Sequence, residues 1–413
     1  MTRDGKIELM VPAGNFECLQ VAIDNGADSV YFGVDQLNMR ARASINFTIE
    51  DLPEIVQRCR VKDVRTYLTM NTIIYDHDLS VIKTLIGKAQ QAGVDALIAM
   101  DQAVIYYARK KGIEVHISTQ LNVTNIETVK FYSIFADTMV LSRELSLSQV
   151  ERIVSQIEKE QIKGPSGRLV EIEIFGHGAL CMAVSGKCYL SLHSHNASAN
   201  RGACKQNCRK KYTVIDQESG FEIELDNEYM MSSKDLCTIS FLDQIVLAGV
   251  KVLKIEGRAR APEYVTVTTV CYRQAIDAIA EGTFDQEKIT VWTERLKTVY
   301  NRGFWDGYYL GQKLGEWSSV NGSAATQKKI YLGKGRHYYP QIEIGEFLIE
   351  AYEVKVGDNV LITGPSTGVK EAEVTSLMVG DQLAETAFKG QVCTIPLDFK
   401  VRPSDKLYKL IKD

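Results

Sequence analysis

Arg65-Thr66-Tyr67-Leu68-Thr69-Met70, followed by Leu79–Gln91, Gly93 and Ala96-Leu97-Ile98-Ala99-Met100, is the stretch from which the fold is read. The first and last runs are short, apolar and rich in residues that suit a pleated surface. The run between them has helical apolar spacing, and Gly93 stands where a left-handed helix cap would fall. Two strands joined by a helix of that length predict parallel pairing, because a parallel pair needs a crossover connection of this kind.

The pattern repeats on both sides. Candidate strands are Ile7–Val11, Ser29–Gly33, Arg65–Met70, Ala96–Met100, Glu114–Ser118, Thr138–Ser142, Val170–Phe175 and Val252–Glu256. Asn15–Asn25, Ile49–Arg60, Leu79–Gln91 and Ser146–Glu158 carry helical periodicity, and Gly26 and Gly112 repeat the cap signal. Eight strand–helix units predict a TIM-like (β/α)8 barrel, with a doubly wound open sheet as the competing closure. The alternation lapses over 176–250, a long insertion holding a hairpin signal at Tyr212–Ile215 and Phe221–Leu225, turning at Glu218-Ser219-Gly220. Pro262–Glu281 and Gln286–Val299 read as helices. From Lys328 the texture changes to short strands, Ile342–Glu346, Asn359–Gly364, Glu371–Leu377 and Gln391–Ile395, which predict a small all-β barrel. The expected division is therefore a catalytic barrel over 1–327, with its cysteine-rich insertion at 176–250, and a β-barrel domain over 328–413.

The chain has 413 residues, 45% hydrophobic and 24% charged, with a net charge of −4, which excludes a disordered chain and a globally basic nucleic-acid binder. Met1–Gly14 is too charged for a leader, and nothing approaches the ~20 apolar residues that span a bilayer, so a cytoplasmic protein without a membrane partner is expected. Nine cysteines is an odd number, and without a leader metal binding or buried thiols are favoured over disulfides.

Cys181, Cys188, Cys204, Cys208 and Cys237 fall inside the insertion. Such thiolates suit zinc or an iron–sulfur cluster. Only Cys204 and Cys208 have the close spacing of a zinc knuckle, so spacing alone leaves cluster, zinc and reduced thiols open.

The flanking residues go further. Glu173-Ile-Phe175-Gly-His177-Gly178-Ala179-Leu180-Cys181 and Gly186-Lys-Cys188-Tyr-Leu190-Ser191 match the signature E-x-F-x-x-G-[AS]-[LIVM]-C-x4-G-x-C-x-[LIVM]-S. Asn200-Arg201-Gly202-Ala-Cys204-Lys-Gln206-Asn-Cys208-Arg209, Ser233-Lys234-Asp235-Leu236-Cys237 and Lys254-Ile255-Glu256-Gly257-Arg258 continue the match. The chain thus resembles the collagenase-like peptidase family over nearly its whole length. The resemblance implies a 4Fe-4S cluster and oxygen-independent hydroxylation. Its tRNA-hydroxylating branch makes 5-hydroxyuridine at the wobble position with prephenate as co-substrate, and the all-β region from Lys328 is similar to that branch. It also implies tRNA and an electron donor as partners. The ligands carried over are Cys181, Cys188, Cys204 and Cys237, with Cys208 as rival. Related branches act on ubiquinone precursors or ribosomal RNA. Peptidase activity, which the family name asserts, lacks an HExxH pair or a G-x-S-x-G elbow here.

Arg201, Lys205, Arg209, Lys210 and Lys211 form a basic patch suited to a cluster, a dianion or RNA phosphates. Asn15, Arg40, Arg42, Asn71, Asp101, Gln120, Asn122, Arg143, Glu173, His177, Glu256 and Arg258 lie near strand C-termini, where barrel enzymes keep their chemistry. Glu173 and His177 are the acid–base candidates, and Arg143 and Arg258 the carboxylate clamps. His193 and His195 read as exposed loop residues. Phe304, Trp305, Tyr308 and Tyr309 suit either base stacking or a domain seam.

Overall fold

The computed structural model describes residues 7–35, 37–41, 47–213, 218, 229–320 and 322–412. Its first body is the expected barrel. Strands β1 (Glu8–Pro12), β2 (Ser29–Phe32), β3 (Arg65–Met70), β4 (Ala96–Ala99), β5 (Glu114–Ile117), β6 (Thr138–Val140) and β7 (Glu171–Ala179) pair in parallel, each with the next in the series. A short strand β8 (Asp235–Cys237) intervenes, and β9 (Val252–Ile255) then pairs in parallel with both β7 and β1, closing the ring. This closure decides for the barrel over the open sheet.

Helices cover the outside for reasons visible in each segment. α1 (Phe16–Asp24) starts at Asn15, whose side chain accepts from the Cys18 N–H at 2.8 Å. The helix Leu79–Ala92 stops at Gly93, which takes φ 79°. The helix Pro262–Glu281 begins with Pro at its first turn, where no N–H is needed. Buried faces of these helices, including Leu19, Ile82, Ile86 and Val265, form one core with the outward residues of the strands.

The barrel interior is mixed. Met10, Tyr31, Tyr67, Ala96, Ile98 and Val252 form its apolar filling. Among them lie the buried polar groups Glu8, His116, Glu173 and Lys254.

β8 was not legible as a strand. It runs antiparallel to the tail of β7, with His177 opposite Cys237 and Ala179 opposite Asp235. β10 (Phe304–Trp305) extends this edge. The hairpin expected between Tyr212 and Leu225, and Arg42, lie outside the described residues apart from Tyr212, Thr213 and Glu218.

An all-β region follows the barrel, with an eight-stranded antiparallel sheet between Gln327–Tyr339 and Lys406–Lys412. Its core, around Leu332, Phe347, Ile362 and Leu407, is separate from that of the barrel. Asn359–Gly364 forms as expected, while Ile344–Ile349 and Gly368–Glu373 are displaced from the expected segments. Lys329 meets Glu263 of the helix Pro262–Glu281 at 2.9 Å across the seam.

Candidate functional site

A cavity of about 210 Å³ opens at the C-terminal end of the barrel strands. Tyr31, Thr69, Ile98, Val140, Phe175 and Lys254 reach it from the strands themselves. The segment after β7 roofs it and brings Cys181, Cys188, Cys204 and Cys208 to one rim. Cys181 is exposed and the other three are half-buried. Burial raises the Cys208 thiol, Arg209 opposes the rise, and the thiols of Cys181, Cys204 and Cys188 add to it, as neighbours of like charge must.

Close approach of this roof depends on glycine. Gly186 has φ +73°, and a Cβ there would stand 2.8 Å from Gln120. Gly202 has φ +81°, and a Cβ there would stand 2.3 Å from the Asn38 carbonyl.

The floor is cationic. Arg258 is buried and donates to Asn38 Oδ1 at 2.7 Å and to Thr69 Oγ1. Burial lowers its pKa to about 10. Arg40 pairs with Glu256 at 2.7 Å. Burial disfavours the Glu256 carboxylate, but Arg40 outweighs it, with Arg143 and Arg258 adding, and the pKa falls to about 2. Arg143 donates to the Ala179 carbonyl at 3.0 Å and lies 4.0 Å from the Phe175 ring centre. Lys254 binds Glu173 at 2.8 Å and lies over the Tyr31 ring. Asn71 donates to Gln120 Oε1 at 3.2 Å, and Asn122 reaches the Ser185 carbonyl at 3.2 Å, tying the β5 loop to the roof.

Arg143 and Arg258 therefore line the cavity as expected. Glu173 does not: it lies one layer below, fully buried beneath Lys254. His177 is turned away altogether. Simple alternation would place it on the face shared by Glu173 and Phe175. A register shift at Gly176 sets His177 opposite Ile255 instead of Glu256 and points it out of the barrel. There it sits among Tyr264, Tyr272 and Phe304, and burial drops its pKa to about 3, leaving a neutral imidazole.

The same edge strand takes Cys237 with it. Cys237 is buried, 3.9 Å from the Tyr272 hydroxyl, and burial pushes its thiol up to about 11. It is not among the cavity-lining residues, so the fourth thiol at the rim is Cys208 and not Cys237.

Other expectations are rearranged by local geometry. Asn15 and Asp101 cap helices, Asp101 accepting from the Ala103 N–H at 2.9 Å. In the basic patch, Arg201 pairs with Asp78 at 2.6 Å and Arg209 donates to the Ser233 and Leu180 carbonyls, both at 2.6 Å. Lys205, Lys210 and Lys211 stay exposed, as do His193 and His195. Trp305 and Tyr309 are buried in the seam around β7, so they offer no stacking surface.

Lys254, Tyr31, Thr69 and His116 received no role from the sequence. Period-2 alternation along Lys254, Glu256 and Arg258 could have found the first.

Among the described residues no three His, Cys, Asp or Glu side chains converge closely enough to hold a single metal ion. Four thiols around one cavity nevertheless fit a polynuclear centre, whose irons each need only one protein sulfur.

A parallel barrel with a thiol-bearing roof and a cationic floor at its C-terminal end defines the class, a βα-barrel enzyme. The chain belongs to Peptidase family U32, whose profile matches residues 14–319. It is 55% identical to a protein named collagenase from Porphyromonas gingivalis, over 98% of each chain. It is 32% identical to tRNA hydroxylation protein P of Helicobacter pylori, over 87% of this chain and 85% of that one. A 23S rRNA 5-hydroxycytidine synthase of Escherichia coli is 34% identical over 75% of this chain and 46% of its own length. No helix among the described residues is long and apolar enough to cross a membrane.

Proposed function

We propose that this protein is an iron–sulfur-dependent hydroxylase of an RNA base, with tRNA wobble uridine as the first candidate substrate. One observation carries the reading: Cys181, Cys188, Cys204 and Cys208 share a cavity with Arg40, Arg143, Lys254 and Arg258. Those four cysteines would hold a 4Fe-4S cluster, which would supply electron transfer.

The chain's own residues account for binding. Four cations face the cavity or its floor, against Glu256 and the underlying Glu173, which leaves about two positive charges to offset the net negative charge of a cluster held by four thiolates. Arg143 and Arg258 would serve as forked donors to the carboxylates of a co-substrate such as prephenate. Arg40 is already paired and holds Glu256 ionised. Exposed Lys205 and Lys210 beside Cys204 and Cys208 would meet RNA phosphates. The likeness to RNA hydroxylation proteins supports the same class.

A peptidase reading, suggested by the collagenase name of a relative, finds less support. The cavity lining includes Ser118, Ser185 and the cysteines but no histidine to act as their base.

Iron and sulfide measured on anaerobically purified protein test the first half: about four of each per chain are expected. Nucleoside mass spectrometry of tRNA from a deletion strain tests the second. Unchanged 5-hydroxyuridine derivatives would reject the substrate, and zinc at about one per chain would reject the chemistry.

A further inference from the structure

We infer that Glu114, His116, Glu173 and Lys254 form a proton relay between solvent at the N-terminal end of the barrel and the floor of the thiol-lined cavity. The path is read from geometry alone. Only its use in a reaction rests on the function proposed above.

Lys254 lines the cavity, and its Nζ binds Glu173 Oε1 at 2.8 Å. The other oxygen, Oε2, lies 3.5 Å from His116 Nδ1, and His116 Nε2 lies 3.7 Å from Glu114 Oε1. Glu173 and His116 are almost wholly buried, whereas the Glu114 side chain is 27% exposed at the start of β5, the end of the barrel opposite the cavity. The four groups thus span the barrel in one file, with His116 and Glu173 each facing a partner on either side.

The contacts at His116 carry the argument. Both ring nitrogens and Glu173 Oε2 are buried without a hydrogen bond in this arrangement, although each faces an ionisable group a few tenths of an ångström beyond bonding distance. A static ion pair would close those gaps, since unmet buried polar atoms are costly. A chain that passes a proton needs small approaches of this kind, and imidazole, with two nitrogens, serves such transfer well. Every neighbouring element adds a group. Tyr67 of β3 lies against the ring at 4.5 Å and donates to Glu8 of β1, which pairs with Arg65, and Arg168 faces Glu114 at 3.5 Å. Burial disfavours the imidazolium, but Glu114 and Glu173 outweigh it and raise the His116 pKa, so a protonated ring is accessible.

The transfers balance. Glu114 takes a proton from water and gives it to His116 Nε2. His116 gives its Nδ1 proton to Glu173. Lys254 gives a proton to an acceptor in the cavity and regains one from Glu173. Each group ends with its original protons once the ring turns over, and one proton has moved from solvent to cavity.

The test uses the full-length chain with 15N-labelled histidine. There are six histidines, and the His116 signals are identified by their loss in His116→Gln. Exchange of ring N–H protons with water is measured by saturation transfer. His177, equally buried but enclosed by aromatic rings, is the internal standard. In the wild-type protein His116 should exchange far faster than His177. Glu114→Gln should slow it by about tenfold or more, and Glu114→Asp should restore part of the rate, with His177 unaffected. Exchange at His116 as slow as at His177 in the wild-type protein overturns the relay whether or not the variants fold, as does equal exchange in wild type and a folded Glu114→Gln. Failure of the wild-type protein to hydroxylate RNA would sink the functional reading and leave the exchange result standing.

Discussion

Replacing Glu173 by Gln removes one charge from the barrel interior and keeps the side chain's shape. Glu173 is fully buried, and Lys254, its partner at 2.8 Å, is nearly so. The pairing with Lys254, with His116 adding, outweighs burial and holds the Glu173 carboxyl below its ordinary pKa. In Glu173→Gln the Lys254 ammonium keeps its desolvation cost and loses its counter-ion. Breaking a buried pair from one side typically costs about 3–5 kcal/mol. At about 2 °C per kcal/mol for a barrel of this size, the melting temperature should fall by roughly 6–10 °C. Lys254→Met should cost less, because the carboxylate it leaves still faces His116 at 3.5 Å. Glu173→Gln with Lys254→Met removes both charges and should recover much of the loss, giving a coupling of about 2 kcal/mol or more. Urea unfolding followed by tryptophan fluorescence measures all three. A loss below about 1 kcal/mol for Glu173→Gln, the scale of an exposed pair, would refute the view of the interior as a desolvated charge network.

Cys208→Ser should lower bound iron after anaerobic purification, while Cys237→Ser should retain it; the opposite pattern would return the fourth ligand to Cys237. Glu256 has a folded pKa depressed from 4.5 to about 2, so its contribution is present above about pH 4.5 and is lost as pH falls toward about 2. Unfolding free energies at about pH 6 and pH 3 should therefore differ more in the wild-type protein than in Glu256→Gln, and equal differences would argue against the Arg40 pair as the cause. Gly202→Ala forces a Cβ to 2.3 Å from the Asn38 carbonyl at φ +81°, and should destabilise the protein by about 1–3 kcal/mol while loosening the cysteine roof. Unchanged stability and metal loading in that variant would show that the roof does not depend on this approach.

The strands of the barrel are legible in the sequence because each is a short apolar run bounded by a helix with its own cap. Ser29–Phe32 and Ala96–Ala99 carry little choice, and Gly93 ends the helix Leu79–Ala92 where the sequence says it should. The thiols were legible as chemistry for the same local reason, since their types and flanking residues lie within one segment. Which thiols meet was not legible. Cys208 and Cys237 are equivalent as letters, and only the antiparallel pairing of β8 with the tail of β7 buries one outside the barrel while the other joins the rim. A one-residue register shift at Gly176 likewise takes His177 from the cavity, an event alternation cannot foresee. His116, Glu173 and Lys254 lie on β5, β7 and β9 and meet only when the ring closes. Periodicity along the chain sets which face a side chain takes within its own strand, whereas contacts across the barrel depend on closure and register, which are properties of the assembled sheet.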